Sequence, residues 1–243
     1  MKKKLLLAGF PKSGNTWIGY MLSYLLSAKY TDLHVPDKLP TAQKWILNLI
    51  NGDLEHATDF VEVNKTHDLP GNVRDLGSYD NIIHIIRDPR DVTVSYFFFQ
   101  WFNLPIFSDK RFMLHITRVP VMRSLIWKMT VLRTARNWNL HSLSWFQQNA
   151  HLVRYEDLLA KTFFELTSIC KKLNIDHNEG LIKESMANFA FDKLSGGREP
   201  GKEDKYHFFR KGVVGDHRNY FDRIDRGIIN LFCKSTMKKL NYN

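Results

Sequence analysis

The sequence predicts an α/β protein, a single domain (residues 1–243) whose central parallel sheet is flanked by helices. Three observations carry that prediction. Short apolar runs at residues 5–8, 60–63, 82–86 and 152–153 each break into polar residues, and patterns of helical spacing recur between them. The third run, Ile82-Ile83-His84-Ile85-Ile86, is nearly continuous, as expected of a central strand buried on both faces. Strand–helix alternation along the chain then implies right-handed crossovers and a covered sheet.

Composition sets the bounds. At 243 residues, with 44% hydrophobic and 13% aromatic residues, the chain suits one well-buried globular domain. Lys+Arg 35 against Asp+Glu 25 leaves +10, which points to an anionic partner. The basic residues are dispersed and interrupted by acids, which argues against nucleic acid. Cys170 and Cys233 sit in separate apolar helical patterns and read as buried thiols, with neither a metal site nor a disulfide implied. The apolar stretch after Lys2-Lys3-Lys4 is too short for a secretory leader, and no run approaches the roughly 20 residues of a membrane span. A soluble, cytoplasmic protein is expected.

The first element carries the first functional signal. Residues 5–8 form a strand, and Trp17, Met21, Tyr24 and Leu25 recur with helical spacing. Between them, Gly9 and Gly14 permit close backbone approach, while Ser13, Asn15 and Thr16 offer polar atoms beside the N–H groups of a helix start. With Lys12 as a point charge, this is an anion cradle. It lacks the G-x-x-x-x-G-K-[ST] spacing of nucleotide-triphosphate loops, because Lys12 precedes Gly14 by two residues. The plainer alternative is a Gly/Pro turn with Ser13 as helix N-cap.

Residues 28–59 are mixed, with a loop at 34–40 and a short helical pattern at 45–50. Residues 60–63 read as a strand, after which Lys65-Thr66-His67-Asp68-Leu69-Pro70-Gly71 turns away. The strand at 82–86 stops at Arg87; Asp88 suits a cap, Pro89 a first helical position and Asp91 the positive helix end. After residues 152–153, a helix carries Phe163, Leu166, Ile169, Cys170 and Leu173 on its inner stripe. Residues 192–221, with Gly196-Gly197 and Pro200-Gly201, predict a long mobile functional loop. Asp222 then caps a last helix bearing Ile224, Ile228, Phe232 and Leu240. Segments 9–17, 65–71 and 87–95 all follow strands, so the topology draws them to the carboxyl rim where such sheets bind ligands.

With these residues assembled, the chain resembles the cytosolic-type sulfotransferases, which use 3′-phosphoadenosine 5′-phosphosulfate (PAPS) and release 3′-phosphoadenosine 5′-phosphate (PAP). Pro11-Lys12-Ser13-Gly14-Asn15-Thr16-Trp17 is similar to their 5′-phosphosulfate loop, with Asn15 where threonine is usual. The segment from Arg87 to Ser95 resembles their 3′-phosphate segment, whose leading arginine and final serine hold that phosphate. Arg154-Tyr155-Glu156-Asp157-Leu158 resembles a third block, with Tyr155 near the adenine. The fourth, Phe209-Arg210-Lys211-Gly212-Val213-Val214-Gly215-Asp216, resembles a late loop that closes on the 3′-phosphate. The resemblance implies a P-loop-like sulfotransferase fold, stacking of Trp17 and Phe208 on adenine, and a donor used without a metal. Taken singly, Arg87 reads equally as an ion-pair residue, Trp17 as core and Arg210-Lys211 as a solvated loop.

Sulfuryl transfer, like phosphoryl transfer, rests on positioning and on charge placed where charge develops. His67, in a Lys-Thr-His segment similar to the family's, is the candidate general base. His34, His56 and His84 read as non-catalytic. Lys12 is assigned to the bridging oxygen and Lys65 to the transferring group. Asp68 either orients the imidazole or competes with it. The aromatic run Tyr96-Phe97-Phe98-Phe99-Gln100-Trp101-Phe102 is core or the wall of a lipophilic acceptor pocket, with Phe107, Phe112 and Trp127 as further candidates. His217 stands where the family commonly has tryptophan, and its dimer pattern is not visible, so the usual dimer is not expected. The shorter chain and the compact segment between the first helix and Phe60 suggest a microbial or otherwise reduced member. Two other readings stay open here: an ATP-dependent kinase, and a non-catalytic module for polyanions.

Overall fold

The computed structural model describes residues 2–34, 58–103, 119–176 and 178–242, with side chains 101–103 excepted. The expected loop at 35–40, the helical pattern at 45–50, His56, Phe107 and Phe112 lie outside the described residues, as do the side chains of Trp101 and Phe102. The chain divides into two compact units, Met1–Arg87 with His141–Ala190, and Asp88–Leu140 with Phe191–Asn243.

The first unit holds the sheet. Its strands are β1 (Lys3–Gly9), β2 (Lys29–Asp32), β3 (Phe60–Thr66), β4 (Asn81–Ile86) and β5 (His151–Arg154). They lie in the order β2-β3-β1-β4-β5, and every pairing is parallel. β1 is the centre because it is apolar on both faces, as strand alternation requires. Leu6 and Ala8 join Val73 and Trp145 in one core cluster, while Leu7 faces Gly19 of helix α1 (Asn15–Leu26). The register places Ala8 beside Thr66, Gly9 beside Ile85, and Ile86 beside Arg154. Three strand ends therefore finish level, and residues 9–17, 65–68 and Arg87 leave one rim.

Further helices of this unit are α4 (Tyr155–Ala160), α5 (Thr162–Lys172) and α6 (Glu179–Asn188), numbered after α2 (Pro89–Asn103) and α3 (Pro120–Phe146), which precede them in the chain. On α5, Leu166, Ile169, Cys170 and the following Leu173 are buried as predicted. The second unit holds α2, most of α3, α7 (Phe191–Ser195) and α8 (Arg223–Lys239). Asp88 does cap α2, accepting from the Arg90 N–H at 2.8 Å and binding its guanidinium as well. Asp222 and Asp225 form a reciprocal capping box on α8. Of the apolar residues expected on this helix, Leu240 is buried and Ile228 and Phe232 are half-buried. Asp225, Ile229, Cys233, Thr236 and Met237 face inward, and Ile224 is exposed. Residues 192–221 are more ordered than a simple loop: α7, a 3-10 turn at Asp216–Asn219 and many internal hydrogen bonds occupy them.

His84, buried at the centre of β4, lies 5.8 Å from the ring of His141 and 6.3 Å from Trp145. Burial, then the neighbouring His141, pushes His84 down to about 3, and burial lowers His141 to about 4. Both rings must be neutral in the folded state, while the unfolded chain binds protons below pH 6.5. The folded state therefore loses stability as pH falls from 6.5 towards those values. Between pH 7 and 5 the expected loss is about 2–4 kcal/mol, from roughly 1.4 kcal/mol per pH unit and group. Urea melts at the two pH values check this, and a His84→Leu/His141→Leu variant should show a flatter dependence.

Candidate active site

The β1–α1 turn is built as an open cradle. Gly14, at φ 98°, is the N-cap of α1, and no side chain caps the helix. Ser13, the alternative cap, does not take that role: its hydroxyl is fully buried and has no partner. A β-carbon on Gly14 would fall 2.6 Å from the Tyr155 ring in a left-handed conformation, so glycine is required there. Lys12 also has a positive φ, 69°, uncommon for a side chain with a β-carbon. No acidic residue stands in the first turn of α1 to compete with an anion for the helix N-terminus. A buried, unpartnered hydroxyl beside an uncapped helix N-terminus fits a phosphate group well.

Asn15, where threonine is usual in the resembled motif, ties the turn to the sheet. Its amide donates to the carbonyls of Gly9 at 3.0 Å and Phe10 at 3.1 Å. The same amide nitrogen lies 3.1 Å from Nδ1 of His67. Nδ1 is also 2.7 Å from the Gly9 carbonyl oxygen, which can only accept. The proton must therefore sit on Nδ1 and be donated to Gly9, leaving the Nε2 lone pair as the basic atom. Burial is the main cause that drives the His67 pKa well below 6.5, and nearby Lys65, His34 and His141 add to it. The bond to Gly9 opposes that shift without overcoming it.

Two neighbours of His67 show what the sequence left open. His34, read as non-catalytic, stacks on His67 with ring centroids 5.4 Å apart. Its Nε2 accepts the His67 backbone N–H at 3.0 Å. Asp68 does not serve as the orienting acid of His67. Its carboxylate lies 3.6 Å from His34 Nε2, and its carbonyl accepts from the Trp145 indole at 2.9 Å. The Gly9 carbonyl does the orienting, a role no side-chain motif announces.

Lys65 is buried and ion-paired with Asp32 at 2.6 Å, and its Nζ lies 3.4 Å from the Thr16 hydroxyl. The charge expected at the site is thus held by a carboxylate on β2, which the sequence did not single out. Arg87 sits with its guanidinium 4.3 Å from the Tyr155 ring centroid and donates to the Lys12 carbonyl at 3.3 Å. Tyr155 is the shared floor: it meets Gly14, Arg87 and, edge to face at 6.1 Å, Trp17. Trp17 is fixed by its indole N–H on the Phe189 carbonyl at 2.9 Å. Within the first unit, Lys12–Trp17, Lys65, His67, Arg87 and Tyr155 are therefore brought into one connected cluster.

The second unit carries Ser95, Phe97, Phe98, Phe208, Arg210, Lys211 and Gly212. Ser95 lies on α2, nearly buried. Arg210 pairs with Glu203 and, at 2.5 Å, with Asp216; Lys211 reaches the other Asp216 oxygen at 2.6 Å. Burial works against the Asp216 charge, but bonds from Lys211, Arg210 and Asn219 outweigh it and lower its pKa. His217, in place of the usual tryptophan, bonds through Nδ1 to Asp91 at 2.9 Å. Phe208 packs edge to face on Phe99. Phe97 and Phe98 line a cavity of about 470 Å³ with Trp127, Tyr220, Pro120, Arg123 and Ser124. Among the described residues no cluster of three metal-ligating side chains occurs, and no helix is long and apolar enough to cross a membrane.

Comparison with known proteins sharpens this arrangement. A family model described as a sulfotransferase domain matches residues 2–241, across both units. The luciferin sulfotransferase of Photinus pyralis is 22% identical, over 98% of this chain and 71% of its own length. Mouse sulfotransferase SULT7A1, solved as a complex with PAP, superimposes with a TM-score of 0.67 at 20% identity, covering 98% of this chain and 84% of that one. Retinol dehydratase, solved with retinol and PAP, gives a TM-score of 0.60 at 18% identity, covering 98% and 82%.

Proposed function

Because this chain belongs to the sulfotransferase domain family, we propose that it transfers a sulfuryl group from PAPS to a hydroxyl, or an amine, of a small apolar acceptor. The observation that carries this reading is the bond from His67 Nδ1 to the Gly9 carbonyl. It couples the candidate base to the strand that delivers the anion cradle, so proton acceptance and donor binding share one rigid support.

PAPS supplies, when bound, a sulfuryl group attached to a good phosphate leaving group. The chain's own residues do the rest. The buried Ser13 hydroxyl, the N–H groups of residues 13–17 and Lys12 hold the 5′-phosphosulfate. Arg87, Ser95, Arg210, Lys211 and Gly212 hold the 3′-phosphate, where the planar arginine fork suits phosphate oxygens. Trp17, Tyr155 and Phe208 contact the adenine. His67 is neutral at physiological pH, because its proton affinity is depressed, and its Nε2 accepts the acceptor's hydroxyl proton. Lys12 and Lys65 place positive charge where negative charge grows, with Asp32 holding Lys65 in position. The aromatic cavity on the second unit supports an apolar acceptor. Both units act as one sulfotransferase domain in the cytoplasm, as resemblance to the cytosolic-type members implies.

Thermal-shift titration tests the donor assignment. Saturating PAP without magnesium should raise the melting temperature by several degrees, since ligand at about 100 times its Kd adds roughly 2.7 kcal/mol. Stabilisation by magnesium-ATP but not by PAP would overturn the reading in favour of a kinase.

A further inference from the structure

Arg198 has no place in any of the resembled motifs, yet its guanidinium makes more backbone bonds than either cation of the late loop. Its Nε donates to the Ser195 carbonyl at 3.2 Å. Nη1 donates to the carbonyls of Lys202 at 2.9 Å and Arg210 at 2.8 Å, and Nη2 to that of Phe209 at 2.6 Å. Four carbonyls from three separated stretches thus converge on one planar fork. The same side chain lies 5.7 Å from the Phe191 ring centroid.

Phe191 is also the residue against which the loop is seated. Gly212, at φ 65°, is so close that a β-carbon there would fall 2.5 Å from the Phe191 ring. Only glycine accepts both that contact and that conformation. The chain on the other side is laced to the same strip: Gly201 N–H bonds to the Lys211 carbonyl at 2.8 Å, and Asp204 N–H to the Arg210 carbonyl at 3.0 Å. The side chains of Arg210 and Lys211 turn instead to Glu203 and Asp216. Backbone and side chain of Arg210 are therefore fixed by different partners, and its carbonyl is held by Arg198 together with the Asp204 N–H.

We infer that Arg198 is a positioning residue for the 3′-phosphate loop. It gathers the carbonyls of Phe209 and Arg210 so that the Arg210, Lys211 and Gly212 groups are presented without a folding cost at the moment of binding. This inference rests on the donor reading above. Preorganisation of a loop raises affinity by removing the ordering entropy otherwise lost on binding. A lysine cannot replace the arginine, because one ammonium cannot span four carbonyls in a plane. The effect must be confined to ligands that carry a 3′-phosphate, since Arg198 holds nothing assigned to the 5′ end.

Calorimetric binding of adenosine 3′,5′-bisphosphate and adenosine 5′-monophosphate to wild type, Arg198→Ala and Arg198→Lys tests this. Wild-type binding of the bisphosphate checks the donor reading independently, because it does not involve the variants. Both variants are expected to weaken bisphosphate binding about tenfold or more, and monophosphate binding by less than about twofold, from the loss of a preorganised site. The selectivity for the 3′-phosphate then falls by a similar factor. A merely structural role would weaken both ligands alike, and unchanged selectivity in the folded variants would overturn the inference. Should Arg198→Ala not fold, Arg198→Lys, which keeps the charge and the aliphatic stem, decides the outcome by the same ratio.

Discussion

Replacing His67 by asparagine is expected to lower kcat by about 10²–10⁴-fold, the usual worth of a positioned general base. Asparagine is the informative choice because its amide nitrogen is able to keep the donation to Gly9, now at 2.7 Å from Nδ1, while offering no basic lone pair. Binding of PAP should then change by less than about threefold, because the cradle itself is untouched. Equal losses in kcat and in PAP affinity would mean that His67 only supports the loop. The pH dependence gives a second reading. The active form is the neutral imidazole, whose pKa is depressed chiefly by burial, then by Lys65. Activity should therefore persist as pH falls through 6.5 and drop only below it. An acid limb of kcat/KM centred at or above 6.5 would contradict the environment described for His67.

The Arg87→Lys variant is expected to weaken PAP binding by about 10–100-fold, equivalent to losing a charge-assisted hydrogen-bond pair. The two anchors of Arg87 explain why a conserved charge is not enough. Its guanidinium packs over Tyr155 at 4.3 Å and still donates to the Lys12 carbonyl, fixing the plane of the fork. An ammonium lacks a plane to stack and lacks the paired donors that suit a phosphate. Isothermal titration with PAP and with adenosine 5′-monophosphate separates the effects: only the former should suffer. Comparable weakening of both would show that Arg87 serves the turn around Lys12 rather than the 3′-phosphate.

Much of this architecture was readable from side-chain pattern. Strands β1 and β4 appear as apolar runs because they lie inside a parallel sheet, where both faces are covered, while β3 and the edge strand β5 show only short apolar pieces. β2 was not readable: Lys29-Tyr30-Thr31-Asp32 is a short edge strand, with only Tyr30 fully inside. Capping chemistry was legible where a side chain does the capping, as at Asp88 and Asp222. At α1 the plainer alternative of a Ser13 cap is not what forms: Gly14 is the N-cap and the Ser13 hydroxyl stays unpartnered. The exposed Ile224 shows the same limit, since helical spacing alone does not say which stripe faces inward.

The candidate site divides along the same line. Residue types and their order along the chain determined the anion cradle at Lys12–Trp17, the histidine after β3, the arginine after β4 and the basic loop at Arg210–Gly212. These are local facts, written in consecutive residues and in the rule that parallel strands end at one rim. Tertiary structure alone decided which atom of His67 is basic, because that depends on a backbone carbonyl 58 positions away in the chain. It alone decided that Asp32 holds Lys65, that Tyr155 supports Arg87, and that Arg198 gathers the carbonyls behind the late loop. The reason is physical: backbone acceptors and ring faces are present at nearly every position, so only folding selects the few that meet a charge.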